Sequence, residues 1–116
     1  MRVALSMVRL GVTLNASTVS AQRLVVALRS LMMSTRLERE CLKCELWTAE
    51  GDSATLHYEE QWTSEAAMRE RVRSDSFTRL LEVMEAAAHP PDVEFDFVTE
   101  QRSLDYIQSV RGESHS

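Results

Sequence analysis

This sequence predicts an α+β domain in which a four-stranded, largely antiparallel sheet carries helices on one face, in the order βαββααβ. Three observations carry that prediction. Cys41 to Thr48, Ala54 to Trp62 and Val93 to Phe97 alternate in character with a period of two, as strands do. Two other segments place apolar residues three and four apart, as amphipathic helices do. Short polar or proline-containing turns separate these segments, with no linker or low-complexity run between them.

The elements follow in order. Val3 to Leu14 reads as the first strand. Its text (MRVALSMVRLGVTL) differs from a signal peptide because Arg9 interrupts the apolar run, so a cytoplasmic location is expected. Asn15 to Thr18 supplies turn and cap residues. Ala21, Leu24, Val25, Leu28, Leu31 and Met32 then form one helical stripe, which leaves Gln22-Arg23 and Arg29-Ser30 on the wet face.

Cys41 to Thr48 and Ala54 to Trp62 are expected to pair as a hairpin across Glu50-Gly51-Asp52-Ser53. Leu56, Tyr58, Glu60 and Trp62 would share one face of the second strand, and Thr55, His57, Glu59 and Gln61 the other. Thr63-Ser64 caps a short helix through about Arg73, and Ser74-Asp75-Ser76 restarts another. That second helix has the stripe Phe77, Leu80, Leu81, Met84 and Ala88, and His89-Pro90-Pro91 ends it. In the last strand Val93, Phe95 and Phe97 should be buried, and Asp92, Glu94 and Asp96 should face water. Residues 1–112 therefore read as one domain of the ferredoxin-like class, and 113–116 as a disordered tail.

Composition narrows the function. The chain has 116 residues, is 44% apolar and 27% charged, and carries a net charge of -5. That balance disfavours nonspecific nucleic-acid binding, which depends on Lys and Arg meeting phosphates. No run of about 18 apolar residues exists to span a membrane. With only Gly11, Gly51 and Gly112, there is no glycine-rich phosphate loop, and no His pair stands at metal-binding spacing. Cys41 and Cys44 form a CxxC inside alternating strand text. On a regular strand they would point to opposite faces about 10 Å apart, too far for a disulfide. Zinc would need further ligands.

The words RLERECLKCELW, YEEQWTSEAAMRERVRSDSFTRLLEVMEAAAHPPDVEF and SLDYIQSVRG, in that order between Arg36 and Gly112, resemble the antibiotic biosynthesis monooxygenase family, which includes the quinol monooxygenases. The chain departs from the family's common pattern at Arg39-Glu40, where a Pro-Gly turn is frequent, and near Ser103, where a Gly is. The resemblance implies a dimeric α+β barrel, in which two sheets pack face to face. It also implies oxidation of a small quinol, phenol or anthrone-like substrate by molecular oxygen, with no metal, flavin or other cofactor. The face carrying Cys41, Lys43, Trp47 and the His57 row would lie at the dimer contact.

Four residues are candidates for the chemistry. Trp62 would stack on a planar substrate and offer its indole N–H, or else seal the strand against the next helix. Glu60 would be a general base among apolar walls, or else the partner of a helix arginine such as Arg69 or Arg73. Tyr58 would hold a substrate oxygen, or be an ordinary half-buried strand tyrosine. His57 faces the other way and titrates near neutrality, so it would serve as a proton shuttle only for a site on that side. His89 belongs to a helix stop, His115 to the tail, and Glu85 to the surface. Two alternatives are a non-catalytic dimer that binds a small hydrophobic ligand, and a haem-degrading enzyme of the same fold. The haem reading lacks its ligand, because Leu80 and Leu81 stand where those relatives place a His.

Overall fold

The computed structural model describes residues 7–49, 52–87, 89–98 and 110–112. Its elements are β1 (Met7–Asn15), α1 (Thr18–Thr35), β2 (Cys41–Ala49), β3 (Asp52–Trp62), α2 (Glu65–Arg73), α3 (Asp75–Glu85) and β4 (Asp92–Val98). The sheet order is β2-β3-β1-β4, and every neighbouring pair is antiparallel. This is the expected ferredoxin-like arrangement. Residues 1–6, 50–51, Ala88, residues 99–109 and the tail 113–116 lie outside the described set, as do the expectations placed on them. Among the described residues, no helix is long and apolar enough to cross a membrane.

Serines start α1, α2 and α3. Ser17 Oγ accepts from the Ser20 amide, Ser64 Oγ from the Ala67 amide and Ser74 Oγ from the Phe77 amide, at 3.1–3.2 Å. Each such cap occupies an amide the first turn cannot pair internally. Ser74 also terminates α2, so one residue both stops a helix and launches the next. Glu65 in the first turn of α2 and Arg71 and Arg73 in its last suit the helix dipole.

The core lies between the helices and one sheet face. Val8, Leu10, Val12 and Leu14 from β1 meet Leu56, Tyr58 and Trp62 from β3, and α1 adds Ala21, Leu24, Leu28 and Met32. In α3 the buried line is Phe77, Leu80 and Met84, with Val83 and Ala87 partly buried beside it. Leu81, expected in that stripe, is 40% exposed. The apolar arc of α3 is centred on Leu80, and Leu81 falls one step of about 100° past it.

Two further expectations are corrected. Val93, Phe95 and Phe97 do lie on the helix side, opposite Val12, Leu10 and Val8. They are nonetheless 41–58% exposed, because β4 is an edge strand against which no described helix packs closely. The second correction concerns the CxxC. A bulge between Cys41 and Lys43 inserts Leu42, so Cys41 pairs with Trp62 and Cys44 with Glu60. Both cysteines therefore stand on the helix side, and Cys41 is not on the open face with Lys43 and Trp47.

Candidate active site

On β3 the alternation puts Tyr58, Glu60 and Trp62 under the helices. Glu60 is fully buried, and buried carboxylates need partners. Its partners are local on one side and helical on the other. Trp62 Nε1 donates to Oε1 at 2.8 Å, and the Tyr58 hydroxyl donates to Oε2. From α2, Arg71 donates through Nε to Oε1 at 3.0 Å and through a terminal nitrogen to Oε2 at 2.8 Å. Glu60 thus accepts four hydrogen bonds, which fills the acceptor positions a carboxylate has.

The ion pair expected for Glu60 is present, but its cation is Arg71. Arg69 and Arg73 point outward, to Glu65 at 3.3 Å and Glu70 at 3.2 Å. Helical phase decides this. Arg71 stands three residues after buried Met68 on the inward face of α2, and Arg69 and Arg73 do not. An arginine on the apolar phase of a helix was the sequence signal for it, and the alternating Glu and Arg text around it hid that phase.

Arg71 is further held by Ser76, which accepts from its other terminal nitrogen at 2.6 Å. Its guanidinium carbon lies 5.3 Å from the Phe77 ring centroid and 6.0 Å from that of Trp62. Burial works against the Arg71 charge, but the bonds to Glu60 outweigh it and raise its pKa. Three of its N–H groups go to Glu60 and Ser76, and Tyr58 is a further side-chain partner. Tyr58 is held protonated, its pKa raised first by burial and then by the Glu60 charge. Its oxygen also lies 3.4 Å from Cys44 Sγ, and burial pushes that thiol up to about 11.

A cavity of about 240 Å³ opens beside this cluster, between the turn before β2 and helix α2. Trp62, Ala67, Arg71 and Ser74 line it together with Glu38, Arg39, Glu40 and Glu70. Trp62 and Arg71 are therefore the cluster members within reach of a ligand. The indole N–H of Trp62 is spent on Glu60, so the ring is what it offers.

His57 lies on the other face, as expected. Its Nδ1 is 3.3 Å from Thr13 Oγ1, and its ring stacks on Trp47 with centroids 5.8 Å apart. A hollow of about 280 Å³ lies there, lined by Arg9, Gly11, Trp47, His57, Asp92 and Glu94 among others. The sheet thus separates His57 from the Glu60 cluster. On this open face Arg9 bonds Glu59 and Asp96, each at 2.8 Å, and Gln61 donates to Glu59 at 2.7 Å. Burial raises the Glu59 pKa, but the bonds from Arg9 and Gln61 prevail and hold it below the usual carboxylate value.

No protein-family profile and no curated protein matches this chain. Solved structures do. A crystal structure of an antibiotic biosynthesis monooxygenase superimposes with a TM-score of 0.67 at 21% identity, over 77% of this chain and 95% of that one. A Caulobacter crescentus protein provisionally named an antibiotic biosynthesis monooxygenase gives 0.72 at 19% identity, over 83% and 92%. A Pseudomonas aeruginosa protein gives 0.68 at 27% identity, over 84% and 96%. At these identities the likeness speaks for the fold and leaves the chemistry to the residues. In fold, this chain is of the antibiotic biosynthesis monooxygenase kind, as its sequence resemblance implied.

Proposed function

We propose that this protein is a cofactor-independent monooxygenase that oxidises a small, ionisable aromatic (a quinol, phenol or anthrone-like ring) with molecular oxygen. The observation that carries this reading is the cavity that Trp62 and Arg71 help to line. A planar substrate stacks on Trp62, and its oxygen meets the positive charge of Arg71. A cation there favours the ionised oxygen, and the ionised ring is the form that gives an electron to oxygen. The cavity is just below the roughly 300–1,000 Å³ of drug-sized sites, which suits one or two rings.

In this reading Glu60 and Tyr58 act behind the substrate-facing pair. Glu60 fixes Trp62 and Arg71, and it accepts a proton only by giving up one of its four bonds. Carboxylates on the cavity wall, Glu40 and Glu70, are better placed to take the substrate's proton. His57 serves the opposite face.

We also infer a homodimer through the open sheet face. Trp47 is 44% exposed there beside His57, a large apolar surface on an otherwise polar face.

The test is oxygen uptake by metal-free protein with a panel of hydroquinones and phenols, in wild type, Trp62→Ala and Arg71→Lys. Uptake that falls at least tenfold in both folded variants supports the assignment. Uptake indifferent to both removes Trp62 and Arg71 from the chemistry. A second reading, a non-catalytic binder of small hydrophobic molecules, draws on the saturation of Glu60, which is typical of a structural ion pair. Quinone binding with no uptake above autoxidation would establish that second reading instead.

A further inference from the structure

The CxxC is left unused by the reading above, and its geometry is not that of a regular strand. Because of the bulge at Leu42, Cys41 and Cys44 sit opposite Trp62 and Glu60 and share one face. Both line a single open cleft of about 370 Å³ at the β2 edge, with Arg36, Leu42, Lys43 and Glu45. Both are free thiols, Cys41 half-buried and Cys44 buried. Their present contacts are weak ones: Cys41 Sγ donates to the Lys43 carbonyl at 3.4 Å, and Cys44 Sγ is 3.4 Å from the Tyr58 hydroxyl.

We propose that Cys41 and Cys44 form a two-thiolate site for a soft monovalent metal ion of the copper(I) class. Spacing favours a metal over a disulfide. The register partners are two residues apart on β3, so the cysteine Cα atoms are separated by roughly 7 Å. That is the outer limit for a disulfide, whose single S–S bond is about 2.05 Å. A bridging ion inserts two metal–sulfur bonds in its place, and so suits a wider sulfur separation than a disulfide does.

Ligand chemistry selects the ion. Thiolates prefer soft metals, and copper(I) is satisfied by few ligands, whereas structural zinc takes four. Among the described residues, no group of three or more His, Cys, Asp and Glu is placed to hold a metal. On binding, each thiol releases its proton to solvent and the two sulfurs bond the ion, leaving one net negative charge and no change of oxidation state. Arg36 donates to the Cys44 carbonyl at 2.9 Å. Burial raises the pKa of both thiols, that of Cys44 to about 11, so the ion displaces their protons against that tendency.

The experiment is an anaerobic titration of the reduced full chain with copper(I) against a chromogenic copper(I) chelator. It is repeated with silver(I), which does not change oxidation state, and with Cys41→Ser and Cys44→Ala, whose folding is checked by circular dichroism. We expect one ion per chain, weakened in each variant by more than about a hundredfold, beyond the 10–100-fold typical of losing an outer-shell group. Cys41 is the less buried of the two, so Cys41→Ser keeps the test decisive if Cys44→Ala fails to fold. Binding that survives Cys41→Ser, or wild type that cannot compete with the chelator, overturns the proposal. So does rapid formation of an internal disulfide with diamide, since the sulfurs would then meet directly.

Discussion

Replacing Arg71 by Met tests how far the buried cluster depends on its one cation. The side chains of Arg71 and Glu60 are 3% and 0% exposed, so neither has water to fall back on. The substitution keeps most of the volume but removes two of the four hydrogen bonds to Glu60, at 3.0 and 2.8 Å, and the bond to Ser76 at 2.6 Å. Stranding one member of a buried ion pair costs about 3–5 kcal/mol. Against a usual domain stability of about 5–15 kcal/mol, that is roughly a fifth or more of the total. At roughly 4 °C per kcal/mol for a chain of this size, Tm should fall by about 12–20 °C. Thermal unfolding by far-UV circular dichroism and the urea midpoint both read this. The double variant Glu60→Gln/Arg71→Met removes the stranded charge while leaving an amide for Trp62 and Tyr58 to bond, and should recover part of the loss. A single-variant cost below about 1 kcal/mol, typical of an exposed pair, would refute the reasoning, as would a double variant no better than the single.

Three further outcomes are expected. Glu59 has a lowered folded pKa, so its stabilisation is complete above its unfolded value of 4.5 and is lost as pH falls through the folded value. Urea midpoints of Arg9→Gln should therefore drop less between pH 5 and pH 3 than those of wild type, and an equal drop would remove Arg9 as the cause. Leu80→Ala should cost about 2–5 kcal/mol, as a fully buried leucine does, and Leu81→Ala under about 1 kcal/mol. Equal midpoints for the two would contradict the phase of α3. If the open sheet face is the dimer contact, Trp47→Glu should shift sedimentation from dimer to monomer with the circular dichroism spectrum unchanged, and an undisturbed dimer would move the contact elsewhere.

Local pattern was enough to read most of the fold. Periods of two and of three to four, three serine caps and a double proline specify element type and order. That order in turn allows few sheet topologies. Pattern also put Tyr58, Glu60 and Trp62 on one face, because a strand's alternation is set by its own backbone. What it left open depends on contacts between distant segments. The partner of Glu60 is decided by how α2 rolls onto β3, which selects Arg71 from three arginines of similar local context. The bulge at Leu42 arises only where β2 is paired with β3, and it reverses the facing of Cys41. The exposure of Phe95 and Phe97 follows from β4 being outermost in the sheet, a property of strand order that alternation within β4 does not encode. Sequence determined which groups each element presents, since backbone periodicity is local. Tertiary structure decided which of those groups meet, since register, roll and edge position exist only between elements.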